Sequence, residues 1–213
     1  MRIVVGHVYK PHSTEHLSRA QRELFRQNEM KRYESKLIRS SRLYPHATRP
    51  DIVHHSEVVT AVGEGGVSDG LKRLSSEFEC RVIVLGVKKN PGIMKRLFGQ
   101  ISQSLIFQSD RDILLVPEDF DLQGGVRMIT CLSLFEDDEI GIRAKLTKSN
   151  MFPAAETNVL SVGNGKDQWR NLASHATDLF AMQLDVNQMD RVDRANLIHW
   201  LYDHVNKPLI LLR

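Results

Sequence analysis

The chain has 213 residues, 41% hydrophobic and 26% charged, with 29 Lys/Arg against 26 Asp/Glu for a net charge of +3. That length and balance suit a globular protein that buries a core without staples, and they exclude a disordered, collagenous or disulfide-dense chain. No apolar run approaches the roughly 20 residues that cross a bilayer, and the start lacks a secretory signal's long apolar segment, so a soluble, cytoplasmic chain is expected.

Taken in chain order, "RIVVGHVY" (2–9) is a strand. Ser13 and Thr14 can cap a helix with Leu17, Ala20 and Leu24 on one side and later Leu37 and Ile38; its polar middle leaves it either long and partly solvated or broken. "DIVHHSEVV" (51–59) is the next strand, and "GEGGVSDGLKRLSSEFE" (63–79) reads as a glycine loop, a cap at Ser68 or Asp69, and a short helix. "RVIVLG" (81–86) and "DILLVP" (112–117) are strands flanking a helix in which Met94, Leu97, Phe98, Ile101 and Leu105 follow helical spacing. Near-continuous Val/Ile/Leu is the mark of strands covered on both faces, so the sheet is expected to be mainly parallel, in the doubly wound α/β class.

After the turn-rich "PEDFDLQGG" the pattern begins again: strand 127–134, helix 137–152, strand 157–163, helix 167–176, strand 178–183, helix 194–205 and strand 207–213. Both halves close on an aliphatic strand, "RDILLVP" and "KPLILLR", which reads as a degenerate internal repeat with domains at 1–120 and 126–213. Strands ending each half at a sheet edge need pairing or cover, so a homodimer through sheet edges is expected, with pairing inside one chain as the alternative.

Charge is unevenly spread. Residues 1–50 hold eleven Lys/Arg against four Asp/Glu, residues 51–126 eight against eleven, and residues 127–213 ten against eleven. The stretch "RAQRELFRQNEMKRYESKLIRSSR" is suited to phosphates of nucleic acid or anionic lipid, but its mixed charges read more simply as a solvated helix face. No interleaved aromatics or helix-turn-helix signature accompany it, so nucleic acid is not an expected partner. Cys80 and Cys131 lie far apart without CxxC spacing, which speaks against a disulfide framework or zinc site.

Other constellations carry little. His12 and His16 could share a helix face as metal ligands but lack a third partner, and His54 and His55 alternate along a strand and point apart. "EDDE" (136–139) places acids where a helix N-terminus favours them. There is no GxSxG, no HExxH and no nucleophile set with a base and an orienting group, so no catalytic residue, no metal and no enzyme is expected.

The stretch "VIVLGVKKNPGIMKRLFGQISQSLI" (82–106) remains: a loop leaving a parallel strand and opening a helix, rich in glycine and cations, is where backbone N–H groups and the helix dipole can hold an anion. It is neither a Walker A loop nor a Rossmann fingerprint. From Val82 to Pro117 it resembles the last third of a universal stress protein domain, where a strand is followed by glycine, two residues, glycine, nine residues, and glycine with serine or threonine. Gly86 and Gly99 match the first and last glycines, whereas Lys89 and Gln100 stand at the second glycine and the hydroxyl position. The resemblance implies ligand contacts at Gly86, Lys88, Gly92, Gly99, Gln100 and Ser102, with ATP or AMP the ligand and its affinity weak or absent. In that family an opening strand ends in an aspartate that holds adenine; "RIVVGHVYKP" looks like the following strand, so either upstream residues supply the first or "RIVVGHV" takes the central slot. In the second half Leu134 stands where that aspartate belongs, and "LDVNQMDRVDRA" has no glycine. The tandem also resembles the cytosolic tails of bacterial monovalent cation/proton antiporters, which implies a membrane transporter domain upstream. The expected function is a non-enzymatic stress-response or regulatory protein; the alternatives are an antiporter's cytosolic regulatory domain and an ATP-binding universal stress protein.

Overall fold

β1 (Arg2–Tyr9) and β2 (Glu57–Glu64) pair in parallel, from Arg2 opposite Glu57 to Tyr9 opposite Glu64. The computed structural model describes residues 2–9, 17–43, 57–87, 103–117, 120, 125–134, 138–162, 166–184 and 191–213. β1 occupies the expected residues, but β2 runs further than the expected strand over 51–59. The apolar run continues through Val58, Val59, Ala61 and Val62, and pairing with β1 draws Gly63 into the strand instead of the loop. His54 and His55 lie outside the described residues.

α1 (Arg19–Leu43) is one unbroken helix of 25 residues, the long alternative of the two. Its start is set by a reciprocal pair: the Ser18 backbone N–H donates to Gln21 Oε1 at 3.0 Å, and the Gln21 N–H to Ser18 Oγ at 3.4 Å. This Ser-x-x-Gln capping box satisfies two of the amide donors that a helix start leaves open. The expected caps Ser13 and Thr14, like His12 and His16, lie outside the described residues. The expected apolar side holds in part: Leu17 and Leu37 are half-buried, whereas Ala20, Leu24 and Ile38 are exposed, and Met30 and Tyr33 are half-buried with Leu37. Tyr33 is drawn inward by the rings of β1, and helical spacing brings Met30 and Leu37 with it.

α2 (Val67–Glu77) is capped at Gly66 with no side-chain hydrogen bond, so Ser68 and Asp69, expected as caps, fall inside its first turn. Gly65 adopts φ +119°, a left-handed turn open to glycine alone at little cost, and its N–H donates to Tyr9 O at 3.0 Å. α2 packs Leu74 with Val8 and Ala61 to form the core of this part of the chain. The chain divides into two compact units, Met1–Cys80 and Arg81–Arg213, and these elements make up the first.

The second unit is a six-stranded sheet built from β3 (Val82–Val87), β4 (Asp112–Pro117), β5 (Met128–Ser133), β6 (Glu156–Ser161), β7 (Leu179–Gln183) and β8 (Leu209–Leu212). Its order is β3-β4-β8-β7-β5-β6, and every neighbouring pair is parallel except β4 with β8. The helices are α3 (Gln103–Gln108), α4 (Asp138–Ser149), α5 (Lys166–Ala173) and α6 (Arg191–His204). The mixed α/β class with mainly parallel sheets is therefore as expected. The expected division at 120–126 runs between strands of this one sheet.

The closing strands of the two halves pair with each other inside the chain, Ile113 opposite Leu211, Leu114 opposite Ile210 and Leu115 opposite Leu209. Arg213 N–H donates to Asp112 Oδ1 at 2.8 Å and ends the seam. The sheet's edges are β3 and β6, so the edge argument for self-association through β4 and β8 no longer applies.

Continuous aliphatic sequence becomes two-sided burial here. Along β5, Ile129 and Cys131 join Ile142 and Leu146 of α4, Leu179, Ala181, Ile210 and Leu212 in one core. Leu132, Phe180, Met182, Leu209 and Leu211 point the other way and are equally buried, so both faces are covered. Trp169 of α5 meets Trp200 of α6 edge-on at 6.1 Å. At the entrance to β7, Asp178 Oδ2 accepts from the Arg127 and Met128 backbone N–H groups at 2.8 and 2.9 Å, which sets the register of β7 against β5. These bonds favour the ionised carboxylate and hold its pKa below the ordinary value, the Arg127 N–H contributing most. Among the described residues no helix is long and apolar enough to cross a membrane.

Candidate functional site

In a parallel sheet the loops at the carboxyl ends of the strands are the natural place for a ligand. Gly86 sits at that end of β3, opposite Val116, and is exposed. A Cβ built there would meet no heavy atom of the described residues within 4 Å, so packing among them does not dictate glycine. Residues 88–102, and with them Lys88, Lys89, Gly92, Gly99, Gln100 and Ser102, lie outside the described residues, as do Met94, Leu97, Phe98 and Ile101.

The described residues on either side of 88–102 belong to β3 and α3. Val87 pairs with Pro117, and Leu105 and Ile106 of α3 are fully buried. The turn from α3 to β4 is closed by Ser109, whose Oγ accepts the Arg111 N–H at 3.0 Å.

The carboxyl ends of β1 and β2 carry a cluster that sequence reasoning missed. Tyr33 of α1 stacks on His7 with ring centroids 4.6 Å apart and on Tyr9 at 5.1 Å, and Lys36 Nζ lies 5.5 Å from the Tyr33 ring centre. Arg26 forms an ion pair with Glu64, the last residue of β2. Arg73 Nη2 donates to the Glu64 carbonyl at 2.9 Å, tying α2 to the same strand end. Tyr9 is 5% exposed, and its phenol is raised above the usual tyrosine value, first by burial and then by the Glu64 carboxylate. It is therefore neutral at physiological pH, and Arg26 is engaged by Glu64. The signal that could have found it is helical spacing: Arg26, Met30, Tyr33 and Leu37 recur at the interval of one face.

In the second half, β5 ends at Ser133 and is followed by Leu134, an aliphatic side chain where the resemblance called for a carboxylate. Residues 185–190, after β7, lie outside the described residues. α4 begins at Asp138, as the acidic stretch suggested, and Glu139 pairs with Arg143 at 3.1 Å along the helix. A cavity of about 310 Å³ opens between α4 and β6, lined by Ile129, Arg143, Leu146, Asn150, Phe152 and Thr157. Its one cation, Arg143, already donates to Glu139 and to Thr157 Oγ1 at 2.7 Å. Among the described residues no group of three or more His, Cys, Asp or Glu could hold a metal ion. Both cysteines are free thiols; burial pushes the Cys131 thiol up to about 11, which keeps it protonated and unreactive.

Comparison with known proteins agrees with this architecture. The model of the universal stress protein family matches residues 1–117. No curated protein matches the chain. A solved universal stress protein from Archaeoglobus fulgidus shares 11% identity at a TM-score of 0.54, over 99% of this chain and 85% of that one. A functionally unknown protein from Pseudomonas aeruginosa shares 10% identity at a TM-score of 0.50, over 81% of this chain and 77% of that one. At such identities the likeness is one of fold.

Proposed function

Because the chain belongs to the universal stress protein family, whose model covers residues 1–117, we propose that it is a non-enzymatic regulatory protein of the stress response that binds adenine nucleotide weakly or not at all. The observation that carries this reading is the pair of departures in the glycine loop. Lys89 stands where the family has its second glycine, and Gln100 where it has serine or threonine. A side chain at the first position obstructs backbone approach to phosphate, and the second removes a hydroxyl donor. Gly86, which matches the family's first glycine, lies near the carboxyl end of β3. In the second half Leu134 and a returning loop without glycine remove both halves of the family's grip.

The tandem reading belongs to the same proposal. β3-β4 and β7-β8 are two parallel pairs related across the antiparallel β4–β8 seam, as two copies meeting through their last strands would be. The second copy then acts as packing partner to the first.

The test is a thermal-shift titration of the purified chain with ATP and AMP. Little or no stabilisation at micromolar nucleotide is expected. Stabilisation of several degrees that disappears in Gly99→Ala would overturn the reading and make the chain an ATP-binding member.

A further inference from the structure

α1 carries eight Lys/Arg against three Glu, and its two sides do different things. Met30, Tyr33 and Leu37 turn toward the sheet, and Arg26 on the same side is paired with Glu64. On the opposite side two stripes run at heptad spacing: Leu24, Lys31 and Ile38 in one, Phe25, Arg32 and Arg39 in the other. Lys31, Arg32 and Arg39 are all exposed. So are the apolar members, Leu24 at 60%, Phe25 at 38% and Ile38 at 40%. No carboxylate stands within these stripes. Glu29, turned inward, reaches Arg32 at 3.6 Å, a loose pair at an arginine whose side chain is 67% exposed and so of small energetic weight.

We infer that this face of α1 is a docking surface for an anionic lipid membrane, on which Lys31, Arg32 and Arg39 meet headgroup phosphates while Leu24, Phe25 and Ile38 enter the acyl boundary. Charge complementarity fixes the sign of the partner, and the mixture of side chains selects its kind. Aliphatic groups set between cations gain nothing from the backbone of a nucleic acid but gain by leaving water at a lipid interface. The two stripes, from Leu24 to Arg39, run for roughly 24 Å along α1. The inference does not depend on nucleotide binding.

The experiment is flotation of the full chain with vesicles of phosphatidylcholine containing phosphatidylserine, against vesicles of phosphatidylcholine alone. Binding is expected only to the anionic vesicles, falling as salt rises. Lys31→Glu with Arg39→Glu is expected to weaken partitioning by at least roughly thirtyfold, whereas Lys148→Glu with Arg81→Glu, an equal change of net charge elsewhere on the exposed surface, leaves most of it. Leu24→Ser with Ile38→Ser is expected to weaken it at constant charge, with circular dichroism verifying that each variant remains folded. Equal loss in both charge reversals, absence of vesicle binding, or capture of a DNA or RNA duplex in place of vesicles would each overturn the inference.

Discussion

Gly70→Ala tests whether α2 is seated on β1 through the lack of a side chain. A Cβ at this position would lie 2.5 and 2.7 Å from the two Val8 methyls and 3.2 Å from Val8 Cβ. Val8 is 9% exposed, held in β1 opposite Gly63, and stiff at χ1, so it cannot swing aside and the helix must shift. Overpacking of this kind costs about 1–3 kcal/mol, while replacing glycine by alanine in a helix interior returns about 1 kcal/mol. A net loss of up to about 2 kcal/mol is expected. It should be read by urea denaturation followed by circular dichroism, with hydrogen exchange of the β1 amides to place the effect in the unit Met1–Cys80. Val8→Ala removes the opposing methyls, and the double variant should be more stable than the sum of the single losses by about 1 kcal/mol. A Gly70→Ala protein more stable than the parent, or a double variant that is merely additive, would refute the packing argument.

Three further outcomes are expected. Asp178→Ala should cost about 1–3 kcal/mol by leaving the Arg127 and Met128 amides without their acceptor. Since the folded-state pKa of Asp178 lies below its unfolded value, this contribution is complete above the unfolded pKa and is lost as pH falls through the folded one. Acid titrations of parent and variant stability should therefore converge at low pH. A thiol reagent at pH 8 should spare Cys131, buried and pushed up to about 11, until denaturant is added, while Cys80, half-buried at the end of the first unit, reacts earlier; mass spectrometry of labelled peptides distinguishes them. Ile210→Asp, which puts a carboxylate into a fully buried site opposite Leu114, should prevent stable folding of the six-stranded sheet, seen as lost protection of β4 and β7 amides.

Much of the strand pattern was legible because burial on both faces leaves a local signature: "RIVVGHVY" and "DILLVP" are strands over the residues that their aliphatic runs mark. The end of β2 was placed too early because glycine usually punctuates a strand, and the pairing that keeps Gly63 inside one is made with residues far away in sequence. The first turns of α1 were misread for a related reason. Leu24 looks like core by hydropathy, but the inward position is fixed by aromatic stacking of Tyr33 on His7 and Tyr9, a tertiary contact. At the candidate site the strand end at Gly86 could be read from the pattern. Of the cluster of Tyr9, Tyr33, Arg26 and Glu64, only the α1 members left a trace, in their helical spacing; Tyr9 and Glu64 come from two other elements and join them through tertiary contacts. The β4–β8 pairing was foreseeable only as one of two ways to cover an aliphatic edge.

That pairing has a consequence for how the chain is made. The Asp112–Arg213 hydrogen bond that ends the seam spans 101 residues, so β4 leaves the ribosome well before its antiparallel neighbour exists. At usual elongation rates the interval is about 5–20 s, during which Ile113 and Leu115 have no lasting cover on that side. The sheet cannot close until β8 has been made and has left the ribosome, so the cover of β4 depends on chain synthesised long after it.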